Sequence, residues 1–209
     1  AYKPNLAFYE CYGIEGMRAL DATVDYIRSK YPEIFLIADA KRGDIGNTAK
    51  MYAKAFFEEM DFDAVTIAPY MGADSVTPFL EYKDKWAIVL ALTSNASAFQ
   101  FQMAQKDGKP LYRAVMEEMM EISTPDNMMF VVGATKADKL EELRSFCPDN
   151  FFLVPGVGAQ GGSAEEVIAH GANDHGGLLI NSSRGILFAD GSEDFAKVAG
   201  QVAAQTANL

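Results

Sequence analysis

Short apolar runs alternate along the chain with stretches in which apolar residues recur at helical spacing. Each run is short, continuous and rich in branched or aromatic side chains, which is typical of a buried strand. The predicted strands are residues 34–39, 64–68, 86–92, 128–132, 151–154 and 178–180. The predicted helices are residues 14–30, 48–60, 73–82, 110–123, 136–146, 163–170 and 192–206. Strand followed by helix, repeated, predicts an α/β fold with a parallel sheet and right-handed crossovers.

Polar or glycine-rich residues follow almost every predicted strand. These strand ends are residues 39–44, 69–72, 93–95, 133–135, 155–162 and 181–184. An open, doubly wound sheet binds its ligand at one switch point and would need such ends on only two or three strands. A ring of reactive ends is typical of the catalytic face of a (β/α)8 barrel. We therefore favour the TIM barrel over the doubly wound sheet.

A (β/α)8 barrel has eight strands, whereas the pattern predicts six strands and an extended tail at residues 3–10. We interpret the six strands as strands three to eight and the tail as the end of strand two. The given sequence, which starts without an initiator Met, would then lack strand one and most of strand two. No linker or repeat indicates a second domain, so residues 1–209 are predicted to form a single barrel domain.

Composition and charge argue against several classes of function. The net charge of −11 argues against a general nucleic-acid surface, but it permits a local site for one anionic ligand. No apolar run approaches the roughly 20 residues of a membrane span, and no signal peptide is visible, so we expect a cytoplasmic protein. Cys11 and Cys147 lie far apart in sequence and are predicted to be small buried hydrophobes. His170 and His175 lack a third ligand nearby, and no metal site is predicted.

The most informative stretch is residues 35–48, where an apolar run leads into Asp39, Lys41 and Asp44. Side chains alternate along a strand, so Asp39 and Lys41 are predicted to point the same way. Two acids that flank one lysine would hold it charged and aim it. A structural ion pair at the strand end is the simpler alternative. However, burying charges at the end of an apolar strand costs free energy, which favours a functional role for these residues.

A second stretch predicts phosphate binding. Residues 155–162 read P-G-V-G-A-Q-G-G, and four glycines within eight residues let backbone N–H groups approach an anion. Arg184 closes the next strand, where a guanidinium can bind phosphate bidentately. In barrels the phosphate site commonly lies in the loops after strands seven and eight, which these loops would follow.

Three strings carry a resemblance to a known family. Residues 39–48, D-A-K-R-G-D-I-G-N-T, resemble the D-x-K-x-x-D-I-x-x-T signature of the orotidine 5′-phosphate decarboxylase family. Residues 3–10, K-P-N-L-A-F-Y-E, and residues 155–162 are similar to strings of the longer bacterial type of that family. The resemblance runs from residue 2 to about residue 190. The family's ribose-contacting aspartate at the end of strand one has no counterpart here.

The resemblance implies decarboxylation of orotidine 5′-monophosphate to uridine 5′-monophosphate and CO2, in de novo pyrimidine biosynthesis, without metal or cofactor. In a Lys3–Asp39–Lys41–Asp44 charge network, Lys41 would be the proton donor. Asp39 would lie against the departing carboxylate, and Lys3 would bond Asp39 and the ribose. Asp44 would reach the site of the partner in a homodimer.

The resemblance also implies a set of substrate-binding residues. Ile45 and Thr48 would accompany Asp44 into the partner's site, and Ser94 would read the pyrimidine from a long closing loop. Gln160 and Arg184 would bind the phosphate. The remaining candidates in the same loops are Pro155, Gly161 and Ser183.

Other functions remain open at this point. Magnesium-dependent sugar-phosphate decarboxylases or aldolases share the D-x-K-x-x-D core, but they carry an acid where this chain has Ile37. A catalytically silent nucleotide-binding barrel would have lost Lys3, Asp39, Lys41 or Asp44, and all four are present. A purely structural barrel would not explain the polar strand ends.

Overall fold

The computed structural model of the chain describes residues 1–134, 137–157 and 162–207. The strands are β1 (Ile37–Arg42), β2 (Ala64–Ile67), β3 (Trp86–Leu92), β4 (Gln105–Lys106), β5 (Lys109–Pro110), β6 (Met128–Val132), β7 (Phe151–Pro155) and β8 (Leu178–Asn181). The helices are α1 (Ala7–Glu10), α2 (Gly13–Lys30), α3 (Gly46–Lys54), α4 (Thr77–Leu80), α5 (Leu111–Glu121), α6 (Ala137–Phe146), α7 (Ala164–Gly171), α8 (Arg184–Leu187) and α9 (Phe195–Ala207). A π-helical turn, Ala55–Glu59, continues α3.

The larger sheet has six strands in the order β1-β2-β3-β6-β7-β8, and it contains all six strands predicted from the apolar runs. The pairs β1–β2, β2–β3 and β7–β8 are parallel. Helices lie between successive strands of this sheet along the chain, as the alternating pattern predicted. Because sheet order follows chain order, the sheet formed by the described residues has no switch point of the kind that a doubly wound sheet requires.

The chain divides into two compact units. The first comprises Ala1–Ala91 and Tyr112–Phe130. Its long helix α2 buries Leu20, Val24 and Ile27, which recur on one face at helical spacing. The extended tail in front of α1 pairs with Leu36, directly before β1, through Tyr2 and with Asp39 of β1 through Asn5. The tail therefore lies beside the strand that carries the central motif.

The second unit comprises Leu92–Leu111 and Val131–Leu209. Its strands β7 and β8 run in register from the pair Phe152–Leu178 to the pair Pro155–Asn181. Helices α6 and α7 pack together, and Leu140, Leu143 and Val167 are buried.

Some features departed from the sequence predictions. The long connection at residues 93–109 contains a small hairpin, β4–β5, whose turn residues Asp107 and Gly108 both have positive φ. An Asp-Gly turn of this kind matches the twist of a tight hairpin, so the signal was present in the sequence. The prediction for the cysteines was half wrong. Cys147 is buried, and burial raises the pKa of its thiol to about 12, but Cys11 is exposed directly after the short, unpredicted helix α1.

Across the described residues, no helix is both long enough and apolar enough to span a membrane.

Arg144 forms hydrogen bonds to the backbone of several segments of the second unit. Its guanidinium donates to the carbonyl oxygens of Gly171 at 2.8 Å, Asn150 at 2.7 Å and Gly177 at 3.1 Å. The guanidinium carbon also lies 4.0 Å from the centroid of the Phe152 ring. Burial lowers the pKa of Arg144, and the carbonyl dipoles compensate for the buried charge.

We expect Arg144→Met to lower the free energy of unfolding by about 3 kcal/mol, because several buried carbonyls would lose a charged donor. Urea unfolding followed by circular dichroism measures this change. The control is Arg18→Met, since Arg18 pairs with Glu15 on the exposed surface of α2 and should change stability by less than about 0.5 kcal/mol. Equal losses in the two variants would contradict a structural role for Arg144.

Candidate active site

The candidate site of the first unit is built on the buried carboxylate of Asp39, in the middle of β1. The amine of Lys3 donates to Asp39 Oδ2 at 2.8 Å, and the amine of Lys41 forms an ion pair with Oδ1. The hydroxyl of Thr66, on the neighbouring strand β2, also donates to Oδ1 at 3.2 Å. Both carboxylate oxygens therefore have charged partners, which is what a buried anion requires.

The same contacts set the ionisation of Asp39. Burial alone would raise the pKa of its carboxyl group, but the charge of Lys3 and the hydrogen bonds from Lys3 and Lys41 outweigh burial. The pKa of Asp39 therefore lies below its ordinary value. The group is an anion at neutral pH and keeps an ammonium beside it.

The two lysines differ in their access to solvent. The side chain of Lys3 is 11% exposed, whereas that of Lys41 is 49% exposed. Lys3 lies in the tail that pairs with β1, where the Asp39 amide donates to the carbonyl of Pro4 at 3.0 Å. Lys3 is thus an internal partner that fixes Asp39, and Lys41 is the cation that a ligand can reach.

A β-bulge, rather than regular alternation, brings Asp39 and Lys41 together. Ala38 pairs with Val65 and Arg42 pairs with Ile67, so residues 39–41 of β1 lie opposite a single residue of β2. Lys41 has a φ of +48°, in the left-handed region that non-glycine residues rarely adopt. Bulges of this type re-aim side chains beside active sites. The prediction that the two side chains meet was right, but the alternation argument behind it was wrong.

Thr66 holds the bulge from the β2 side. Its hydroxyl oxygen accepts a hydrogen bond from the Lys41 amide at 2.9 Å, while the hydroxyl proton goes to Asp39. One side chain thus contacts both Asp39 and Lys41. Sequence reasoning missed it, although a lone threonine within an apolar strand was a usable signal.

Asp44 does not enclose Lys41 as the spacing suggested. Its carboxylate accepts a hydrogen bond from the amide of the next residue, Ile45, at 2.8 Å. Within the described part of the chain, Asp44 forms no ion pair. Ile45 is exposed, as is Thr48 on α3. A role for these three residues in a partner's site stays a prediction.

The second unit holds the other candidates, beginning with Ser94. Ser94 follows β3 and packs so closely on Gly133 that a Cβ at Gly133 would lie 2.7 Å from Ser94 atoms. Only glycine permits this approach. The neighbouring Thr93 exchanges hydrogen bonds with Gln102: its amide donates to Oε1 and its hydroxyl accepts from Nε2, both at 2.8 Å. The base of the long connection is therefore fixed.

The phosphate candidates follow the ends of β7 and β8. Pro155 ends β7 and pairs in register with Asn181 of β8. Ser183 and Arg184 come after β8, where Arg184 begins α8, and both are exposed. The predicted residues Gln160 and Gly161 lie outside the described residues.

The described residues contain no group of three or more His, Cys, Asp or Glu side chains placed to hold a metal ion. Ile37, at the position where the magnesium-dependent relatives carry an acid, is a buried residue of β1. An aliphatic side chain offers no ligand to a hard cation.

Comparisons with known proteins agree with the motif. A family model described as orotidine 5′-phosphate decarboxylase / HUMPS matches residues 1–198. The orotidine 5′-phosphate decarboxylase of Christiangramia forsetii is 57% identical over 200 residues, which are 96% of this chain and 74% of the relative. The enzyme of the same name from Phocaeicola vulgatus is 56% identical over 204 residues, which are 97% of this chain and 75% of the relative.

A solved structure supports the same relationship. Leishmania donovani OMP decarboxylase matches with a TM-score of 0.85 at 38% identity, over 97% of this chain and 77% of that one. This likeness, with the alternating strands and helices of the six-stranded sheet, confirms the predicted α/β fold class of the (β/α)8 type. The family resemblance found in the motifs is confirmed as well, and the chain belongs to the orotidine 5′-phosphate decarboxylase / HUMPS family.

Proposed function

We propose that this chain decarboxylates orotidine 5′-monophosphate to uridine 5′-monophosphate and CO2, a step of de novo pyrimidine biosynthesis. The observation that carries the proposal is the pairing of an accessible Lys41 with a buried Asp39 that Lys3 also holds. The names of relatives at 57% and 56% identity support the same reaction.

The reaction needs a cation at one carbon. When the bond to the carboxylate breaks, its electron pair stays on the pyrimidine carbon, which has no adjacent electron sink. An ammonium fixed beside that carbon stabilises the developing charge without reorganising. Lys41 then gives its proton to the carbon and recovers one from water. No step requires a metal or an organic cofactor.

Asp39, which is itself held by Lys3, positions the Lys41 ammonium for this role. Since Asp39 stays ionised, its ion pair with the Lys41 ammonium keeps that group in place. We place the departing carboxylate of the substrate next to Asp39, where repulsion between the two anions would be relieved as CO2 leaves. The larger contribution is assigned to the cation, because preorganised charge is usually the largest catalytic term.

The remaining candidates of the family motifs are proposed to bind the rest of the nucleotide. Arg184 and Gln160 would bind the phosphate with the loop residues Pro155, Gly161 and Ser183, and Ser94 would bind the pyrimidine. These roles rest on the family motifs at residues 155–162 and 181–184. Binding energy from the phosphate, far from the reacting carbon, would be used to orient the substrate in the transition state.

The magnesium-dependent sugar-phosphate reaction of the wider family is the alternative. It would require an acidic metal ligand two residues before Asp39, and this chain has the buried Ile37 there. We therefore propose a metal-independent enzyme. A homodimer in which Asp44, Ile45 and Thr48 reach the partner's site, and a cytoplasmic location, complete the proposal.

Lys41→Ala should lower kcat for orotidine 5′-monophosphate by about 10⁴-fold or more, because both the cation and the proton donor are lost. Binding of uridine 5′-monophosphate should change little. The loss of ultraviolet absorbance of the substrate measures turnover, with EDTA present throughout. Lys54→Ala is the matched control, since Lys54 is also a half-exposed lysine, paired with Glu59 at 3.4 Å. Near-full activity of Lys41→Ala would refute the assigned proton donor.

Arg184→Ala should weaken binding of uridine 5′-monophosphate by about 100-fold, because a charge-assisted bidentate contact to phosphate would be lost. Binding of uridine, which has no phosphate, should be unchanged. Isothermal titration calorimetry with the two ligands separates these cases, and Arg18→Ala serves as a surface control. If Arg184→Ala weakened both ligands equally, Arg184 would not be the phosphate residue.

A mixture of two inactive variants, Asp44→Ala and Lys41→Ala, should recover activity if sites are shared between subunits. In a mixed dimer, one site receives both substitutions and the other receives neither. With random exchange of subunits, recovery should approach about a quarter of the wild-type activity. Each variant unfolded and refolded alone is the control. A mixture as inactive as its components would show that Asp44 acts within its own subunit.

A further inference from the structure

Arg42 contacts three separate segments of the first unit. Its Nη1 donates to the carbonyl oxygen of Ala40 at 3.1 Å, within its own strand. Its Nη2 forms an ion pair with Glu10 at the end of α1. The guanidinium carbon lies 5.5 Å from the ring centroid of Tyr52 in α3 and 5.6 Å from that of Phe56 in the following π-helical turn.

Each of these segments carries or adjoins a candidate residue of the site. Helix α1 follows the tail that holds Lys3, and β1 holds Asp39 and Lys41. Helix α3 begins directly after Asp44 and Ile45. One guanidinium therefore connects all the segments of this unit that carry the proposed charge network.

The backbone at Lys41 needs such support. Its positive φ is unfavourable for a residue with a Cβ atom, so the surrounding contacts must impose it. Thr66 holds Lys41 from the β2 side. Arg42 is the next residue after Lys41. Its guanidinium donates to the carbonyl oxygen of Ala40, and its own carbonyl accepts a hydrogen bond from the Ala68 amide at 2.8 Å.

The Arg42 guanidinium is itself held under constraint. Its Nε is buried and, among the described residues, has no hydrogen-bond partner. A buried donor without a partner is unfavourable, and few occur in folded proteins. The contacts with Glu10, Ala40 and the two rings must therefore outweigh the free-energy cost of this unpaired donor. We conclude that these contacts fix the guanidinium in place.

We propose that Arg42 is a positioning residue for Lys41. It clamps the bulge of β1 between α1 and α3 and thereby keeps the Lys41 ammonium on the Asp39 carboxylate. The kinetic consequence rests on the proposed function, in which Lys41 is the proton donor. The geometric consequence, an ordered bulge at Lys41, does not depend on any activity.

Arg42→Met tests this positioning role, because methionine keeps apolar bulk near Tyr52 and Phe56 but removes the guanidinium donors and the positive charge. We expect kcat to fall by about 100-fold, since a shift of about 1 Å in a catalytic group can have that effect. KM should change little, because the proposed phosphate contacts are intact. Arg42→Lys should recover part of kcat, because a lysine keeps the charge for Glu10 but lacks the planar fork.

The matched control is Arg113→Met. Arg113 is a half-buried arginine of α5, paired with Glu117 at 2.9 Å, with 31% of its side chain exposed against 24% for Arg42. Its activity should equal that of the wild type. Glu10→Gln combined with Arg42→Met should lose no more kcat than Arg42→Met alone, because both changes break one clamp.

Amide hydrogen exchange supplies the readout that is independent of turnover. Arg42→Met should accelerate exchange of the Lys41 amide, which donates to Thr66, well beyond any change in Arg113→Met. Unchanged exchange at Lys41 would overturn the proposal, as would a loss confined to Tm or KM. If the wild-type protein proved inactive, the proposed function would fail, and the exchange rate at Lys41 alone would decide whether Arg42 positions it.

Discussion

The ion pairs of a buried carboxylate determine how the first unit is built. Asp39 is charged inside the protein, so each of its oxygens needs a cationic partner. The tail supplies Lys3, the bulge supplies Lys41, and β2 supplies the hydroxyl of Thr66. Because the pKa of Asp39 in the fold lies below its unfolded value, these contacts stabilise the protein above the unfolded pKa. That stability is lost as pH falls through the folded pKa.

The sequence predicted the parts of this site that depend on local pattern. The strands followed from apolar runs, and the closeness of Asp39 and Lys41 was predicted correctly, although by an alternation argument that the bulge replaces. The bulge could not be predicted, because nothing local distinguishes a regular strand from one in which Lys41 takes a positive φ. Arg42 was missed for a related reason: its partners Glu10, Tyr52 and Phe56 come from segments that only the tertiary fold brings together.

Other differences came from competing local structure. The acid at position 44 had the right spacing to face Lys41, but its carboxylate instead accepts from the Ile45 amide, a short-range bond that aspartate makes readily before a helix. The hairpin at Asp107 and Gly108 was missed although its turn signal was present, because the two strands have only two residues each. Motif spacing therefore predicted which side chains meet more reliably than it predicted their orientation.

The two lysines that pair with Asp39 differ in burial, which explains how they can have different roles. The nearly buried Lys3 is committed to Asp39, while the half-exposed Lys41 has room for a second anion. Two ammonium groups and one carboxylate leave a formal local charge of +1 in a chain of net charge −11. Surface charges are screened over about 8 Å at physiological ionic strength, so a partly buried cation can still attract a carboxylate that the protein as a whole repels. A bound anion would then feel Lys41 most strongly, because Lys41 is the part of this cluster that it can reach.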